Sequence, residues 1–143
     1  MTLNCSVSLL ILFCLALPAT VFAADKTPDQ LVSEARAAIG EISVVEVKIL
    51  LNGATPPILV DVRDRHEFAE GHLPGAINIS RGTLEFGVQG KIPDKSSRII
   101  VYCGTDRRSP LAVAALKQLG YLNVLNMSGG LIAWEKAGFS VVK

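Results

Sequence analysis

Cysteine is scarce in this chain, with three in 143 residues. Cys5 and Cys14 both fall within residues 1–23, a segment with the marks of an export signal. It has an apolar run at 9–17, then Pro18, then Val21 and Ala23 at the small-residue spacing that a signal peptidase reads. Cleavage near Ala23 would leave Cys103 alone in the mature protein, which excludes a disulfide scaffold and an internal dithiol couple. The apolar run is too short for a good membrane span. Cys14 follows Phe13 rather than a small residue, so no lipid anchor is expected. The leader departs from the usual pattern in having no Lys or Arg before its apolar run. A periplasmic or secreted protein is expected, with no stable membrane association once the signal is removed.

Charge of one sign is also lacking. Fourteen Lys and Arg against 13 Asp and Glu leave a net +1, and the basic residues are scattered. No field of that size recruits nucleic acid or an anionic membrane. The two histidines, His66 and His72, do not stand at metal-ligand spacing with Cys103, so neither a metal nor a cofactor is expected. Aromatics make up 6% of the chain and hydrophobics 50%, which suits one domain with an aliphatic core. There is no internal repeat and no low-complexity tract.

What is present is an alternation of strand and helix patterns. A polar tail is followed by helical spacing over 28–38, with Leu31, Ala35 and Ala38 on one face. A short first strand is predicted at 42–43 and a helix over 45–51, ended by Asn52 and Gly53. The run 58–62 is continuously apolar apart from Asp61, as in a strand buried on both faces of a parallel sheet. A short helix at 65–70 and a strand at 76–79 follow. Residues 83–86 read as a helical turn and the rest, to 97, as loop. A central strand at 99–102 leads to Cys103. The next helix is expected to start at Pro110 with Ser109 as its cap, and to stop at Gly120. A strand at 123–126, the Gly129-Gly130 turn and a helix over 131–137 complete the chain. This order gives an α/β domain with a mostly parallel sheet.

The segment Cys103-Gly-Thr-Asp-Arg-Arg-Ser-Pro110 joins that strand to that helix. A strand aims the sulfur, and loop amides with a helix N-terminus favour negative charge on it. Asp61 and Arg63 stand at the end of a buried strand and must be paired; they read as scaffold holding Glu67 or the neighbouring loop. His72 reads as a turn-stabilising hydrogen-bond partner, Trp134 as core or pocket wall, and Arg107 as solvated.

Three separated blocks carry a resemblance: Leu59-Val-Asp-Val-Arg63 with Glu67-Phe-Ala-Glu-Gly-His-Leu-Pro-Gly-Ala-Ile-Asn-Ile79; the Cys103 loop through Arg108 and Ser109; and Met127-Ser-Gly-Gly-Leu-Ile-Ala-Trp134. Together they resemble the rhodanese-like domain, the sulfurtransferase fold, over residues 42–141, with residues 24–41 as a leading tail and helix. The resemblance implies a mostly parallel five-stranded sheet flanked by helices on both faces. It implies that Cys103 takes sulfur from a donor such as thiosulfate as a persulfide and passes it to a thiol or cyanide. Backbone groups of Gly104, Thr105, Asp106, Arg107 and Ser109 would cradle the sulfur, and Arg108 would bind the donor's sulfonate. Asp61, Arg63, Glu67, His72, Gly129, Gly130 and Trp134 belong to the structural motif.

The commonest family loop reads C-R-x-G-x-R, whereas Gly104 and Asp106 stand here at its second and fourth positions. Asp tolerates the left-handed conformation that such a glycine adopts, but an inward carboxylate would oppose a thiolate and an anionic donor. This motivates an alternative, a non-turnover sulfane-sulfur carrier or binding module fed by a partner protein, with a sulfur-donor or acceptor protein as its partner. A phosphatase would need Cys-x5-Arg, with arginine at position 109 in place of Ser109.

Overall fold

The computed structural model describes residues 25–143. The export signal expected over 1–23 lies outside the described residues.

Five parallel strands form one sheet in the order β1-β5-β4-β2-β3: β1 (Gly40–Ile42), β2 (Ile58–Asp61), β3 (Ile77–Asn78), β4 (Ile99–Tyr102) and β5 (Val124–Met127). Among the described residues six helices accompany them: α1 (Pro28–Ala37), α2 (Val44–Leu51), α3 (Arg65–Glu70), α4 (Leu84–Lys91), α5 (Arg108–Gln118) and α6 (Gly130–Lys136). A short 3-10 turn, Arg81–Thr83, precedes α4. The sheet is all-parallel, and its apolar inner strands are covered on both faces as such sheets require.

β4 lies at the centre, paired with β2 through Val60 opposite Val101 and with β5 through Val101 opposite Asn126. Its side chains alternate between two cores. Ile99, Val101 and then Cys103 enter the core shared with Leu84 and Val88 of α4 and Ala112, Val113 and Leu116 of α5. Ile100 and Tyr102 enter the opposite core, with Val47 of α2 and Leu131 and Trp134 of α6. Strand parity alone therefore turns the Cys103 sulfur toward the α5 side.

Four elements differ from the sequence expectation. β1 begins at Gly40, and Ser43 caps α2 through a reciprocal pair with Glu46. No residue of α1 is fully buried and Leu31 is exposed; Val32, Ala35 and Arg36 form its half-buried side. Residues 84–91 are a full helix despite Gly87 and Gly90, because Leu84 and Val88, one turn apart, are buried in the core. α5 begins at Arg108 rather than Pro110. The chain turns through a left-handed residue at Asp106, with φ 63°, and is helical by Arg107. Ser109 is thus the second helical residue and not the cap, and Pro110, still in the first turn, lacks an N–H that would have had no helical partner.

Candidate active site

Cys103 follows the last residue of β4, at the carboxyl ends of the strands, where open α/β sheets place their ligands. It is 1% exposed. From there the chain curls through Gly104, exposed Thr105 and buried Asp106 into the N-terminus of α5. None of the backbone N–H groups from Gly104 to Ser109 donates to another described residue. Six consecutive amides between Cys103 and the first turn of α5 are thus without an acceptor among the described residues, an arrangement that favours an anion. The Ser109 hydroxyl reaches the Cys103 sulfur at 3.4 Å and also lies 3.4 Å from Asp106 Oδ1.

The other wall is the start of α6. Leu131 N donates to the Cys103 carbonyl at 2.8 Å and Ile132 N to the Gly104 carbonyl at 3.2 Å. Gly129 and Gly130 make this approach possible, with φ 78° and 62°. A Cβ on Gly130 would overlap the Cys103 carbonyl oxygen and stand 2.8 Å from that of Gly104. The Gly-Gly pair therefore fixes the floor of the cysteine loop as well as turning the chain.

The resemblance implies that Arg108 offers its fork to a sulfonate. Two arms of that fork instead bind Glu67, at 2.6 and 2.8 Å, and Glu67 also accepts from Asp64 N at 3.0 Å. The hydrogen bonds from Arg108 hold the Glu67 carboxyl well below the usual range, at about 2. Arg108 is raised in turn, first by Glu67, with the nearby Cys103 adding to the effect. Its remaining N–H groups are the part left for a ligand.

Asp61 and Arg63 pair with each other rather than with Glu67. Arg63 takes Asp61 in a two-point bond at 2.7 and 3.0 Å and closes on the Gly71 carbonyl at 2.6 Å. Its stem lies 3.7 Å from the Cβ position of Gly104, so this buried pair backs the loop. His72 binds the Phe68 carbonyl at 2.9 Å, stacks on the Phe68 ring and pairs its backbone with Val142. Trp134 lies in the opposite core and donates to the Ser140 carbonyl at 3.0 Å. Arg107 is exposed and pairs with Asp29 of α1.

The Asp106 carboxylate is engaged from several directions. It accepts from Asn126 Nδ2 at 2.8 Å and from Gly129 N at 2.9 Å, and forms an ion pair with Arg36 at 2.8 Å. Arg36 also donates to the Asp106 carbonyl at 2.6 Å. Neither Arg36 nor Asn126 was singled out from sequence. Arg36 stands 70 residues from Asp106, and Asn126 sits in a strand where only a buried amide among apolar neighbours marks it.

A rhodanese-like domain model matches residues 43–137, well over half of the chain. The chain belongs to the rhodanese-like domain family. Among rhodanese-like relatives, a sulfurtransferase of Allochromatium vinosum is 34% identical over 104 residues, covering 73% of this chain and 95% of that protein. The thiosulfate sulfurtransferase of Escherichia coli is 34% identical over 70 residues, 49% of this chain and 67% of that protein. Among solved structures, a Rhodopseudomonas palustris protein of unknown function, described as a possible tyrosine phosphatase, superposes with a TM-score of 0.75 at 25% identity, covering 85% of this chain and 98% of that one. The phosphatase spacing is not met in the present rhodanese-like loop: Ser109 stands where that arginine would be, and Arg108 is bound to Glu67.

Proposed function

We propose that the protein is an exported single-domain sulfurtransferase acting through a persulfide on Cys103. The observation that carries this reading is the buried Cys103 at the end of β4, followed by six amides without an acceptor among the described residues that lead into the N-terminus of α5. In the reaction the Cys103 thiolate attacks the outer sulfur of thiosulfate. The sulfur–sulfur bond breaks, its electron pair leaves with sulfite, and Cys103 carries the sulfane sulfur. A thiolate or cyanide then attacks that outer sulfur and restores the Cys103 thiolate. No external oxidant is consumed.

The residues divide the work. The amides of Gly104 to Ser109 stabilise negative charge on the thiolate and on the terminal persulfide sulfur, where charge resides through both steps. Ser109 donates to the attacking sulfur. Arg108, held by Glu67, adds a fixed positive charge and its free N–H groups to the mouth of the loop. Thiosulfate is favoured as donor because the cradle suits a small anion and because a relative carries that activity in its name. Export is supported by the leader pattern of residues 1–23.

Thiocyanate formation from thiosulfate and cyanide tests this reading. The protein should turn over and its Cys103→Ala variant should not; equal rates for the two would remove Cys103 from the mechanism. N-terminal sequencing of the protein recovered from the periplasm or medium of producing cells should start near residue 24.

A further inference from the structure

We propose that Arg36, carried on α1, is a positioning residue for Cys103: by neutralising Asp106 it leaves the Ser109 hydroxyl proton to the sulfur. The proposal rests on Cys103 as the reacting thiol.

Ser109 has one hydroxyl proton and two acceptors at equal distance, Cys103 Sγ and Asp106 Oδ1, each at 3.4 Å. It serves only one at a time, and the acceptor with more uncompensated negative charge takes it. Asp106 is 6% exposed, so its charge must be met inside the protein. Asn126 and the Gly129 amide supply neutral donors. The one full positive charge in contact with it, among the described residues, is Arg36, which binds both its carboxylate and its carbonyl. Without Arg36 the carboxylate would draw the Ser109 proton and oppose a thiolate next to it.

The surroundings identify Arg36 as the group that decides. Around Cys103, Arg108 is committed to Glu67, with Asp64 4.0 Å away, and Arg63 is committed to Asp61. Beyond Asp106, Glu41 pairs with Arg36 and accepts from Asn126, adding negative rather than positive charge. α1 itself has no fully buried residue and is tied to the loop by Arg36–Asp106 and Arg107–Asp29. The leading helix is thus placed to complete the cysteine loop from outside, and Asp106 at the usual glycine position is tolerated because Arg36 accompanies it.

The test measures the alkylation rate of Cys103 by iodoacetamide against pH, read on the Cys103 peptide by mass, alongside persulfide loading from thiosulfate. Arg36→Ala should raise the alkylation midpoint by about one pH unit, roughly a tenfold loss of thiolate at any pH well below the wild-type midpoint. Arg36→Gln, which keeps donors but no charge, should do the same even if the smaller residue disturbs folding. Arg36→Lys should stay near the wild-type midpoint. Asp106→Gly in the Arg36→Ala background should restore it, because glycine adopts the left-handed turn and leaves no charge to neutralise. An unchanged midpoint in folded Arg36→Gln, or no recovery in the double variant, overturns the proposal. Alkylation reports the thiolate whether or not sulfur moves. A wild-type protein that takes no sulfur yet shows this midpoint pattern contradicts the sulfurtransferase reading and upholds the role of Arg36.

Discussion

Arg108 and Glu67 close the cysteine loop onto α3 through two parallel hydrogen bonds, at 2.6 and 2.8 Å, between residues 41 apart in sequence. The pair turns the arginine that ends the loop into a fixed post. It holds the Glu67 carboxyl down to about 2. A depressed carboxylate contributes stability that is present above its ordinary value and lost as pH falls through its folded value. Glu67→Gln should therefore cost about 1–2 kcal/mol at neutral pH, and the gap to wild type should shrink as pH falls from about 4.5 toward about 2. Urea unfolding of both proteins across that range checks it; a gap independent of pH would remove the ion pair as its cause.

Gly130 is where α6 touches the loop. Gly130→Ala places a methyl group against the Cys103 and Gly104 carbonyls at a residue with φ 62°. Strain and overlap together should cost roughly 2–4 kcal/mol and displace the floor of the site. Thermal unfolding and Cys103 alkylation on the same sample should both change. A variant as stable and as reactive as wild type would show that α6 can shift without consequence.

Tyr102 offers the converse case, a neighbour of Cys103 that faces the other core. Its hydroxyl accepts from Leu73 N at 3.1 Å, and burial, with Asp61 next, holds the phenol far above its ordinary range. Tyr102→Phe leaves a buried N–H without its partner and should cost about 1–3 kcal/mol. Sulfur transfer per folded molecule should be unaltered, because the side chain lies across the sheet from the sulfur. Comparing turnover of active-site-titrated protein with the unfolding midpoint separates the two effects.

Ser109→Ala removes the hydroxyl that reaches the Cys103 sulfur. Alkylation of Cys103 below its midpoint should slow roughly three- to tenfold, the worth of one ordinary hydrogen bond, because the contact to sulfur is long at 3.4 Å. In that background, replacing Arg36 should change the alkylation midpoint less than it does in wild type, since no proton remains to be divided. Full retention of the Arg36 effect would show that it acts by charge alone.

The parts of this fold legible in sequence are those whose cause is local. Apolar runs marked β2 and β4, and the strand–loop–helix order placed Cys103 at a strand end beneath a helix N-terminus. The sequence shows only a turn at 83–86 where the structure has helix α4; Gly87 and Gly90 are poor helix formers, and the burial of Leu84 and Val88 that overrides them is a tertiary effect. The left-handed turn at Asp106 was foreseeable from residue type, but not the direction of its carboxylate. That direction depends on Arg36, Asn126 and Gly129, three residues from three parts of the chain. The same holds for Arg108 and Glu67, whose pairing is set by how α3 docks beside α5. Ion pairs between distant elements leave no periodic trace, so spacing cannot assign partners to charges.

Whether Cys103 carries sulfane sulfur is read from the intact mass of the protein after exposure to thiosulfate. The mass should rise by one sulfur atom, released by cyanide and absent from Cys103→Ser. Absence of any gain from thiosulfate or other sulfane donors, with Cys103 still open to alkylation, would contradict a persulfide on Cys103.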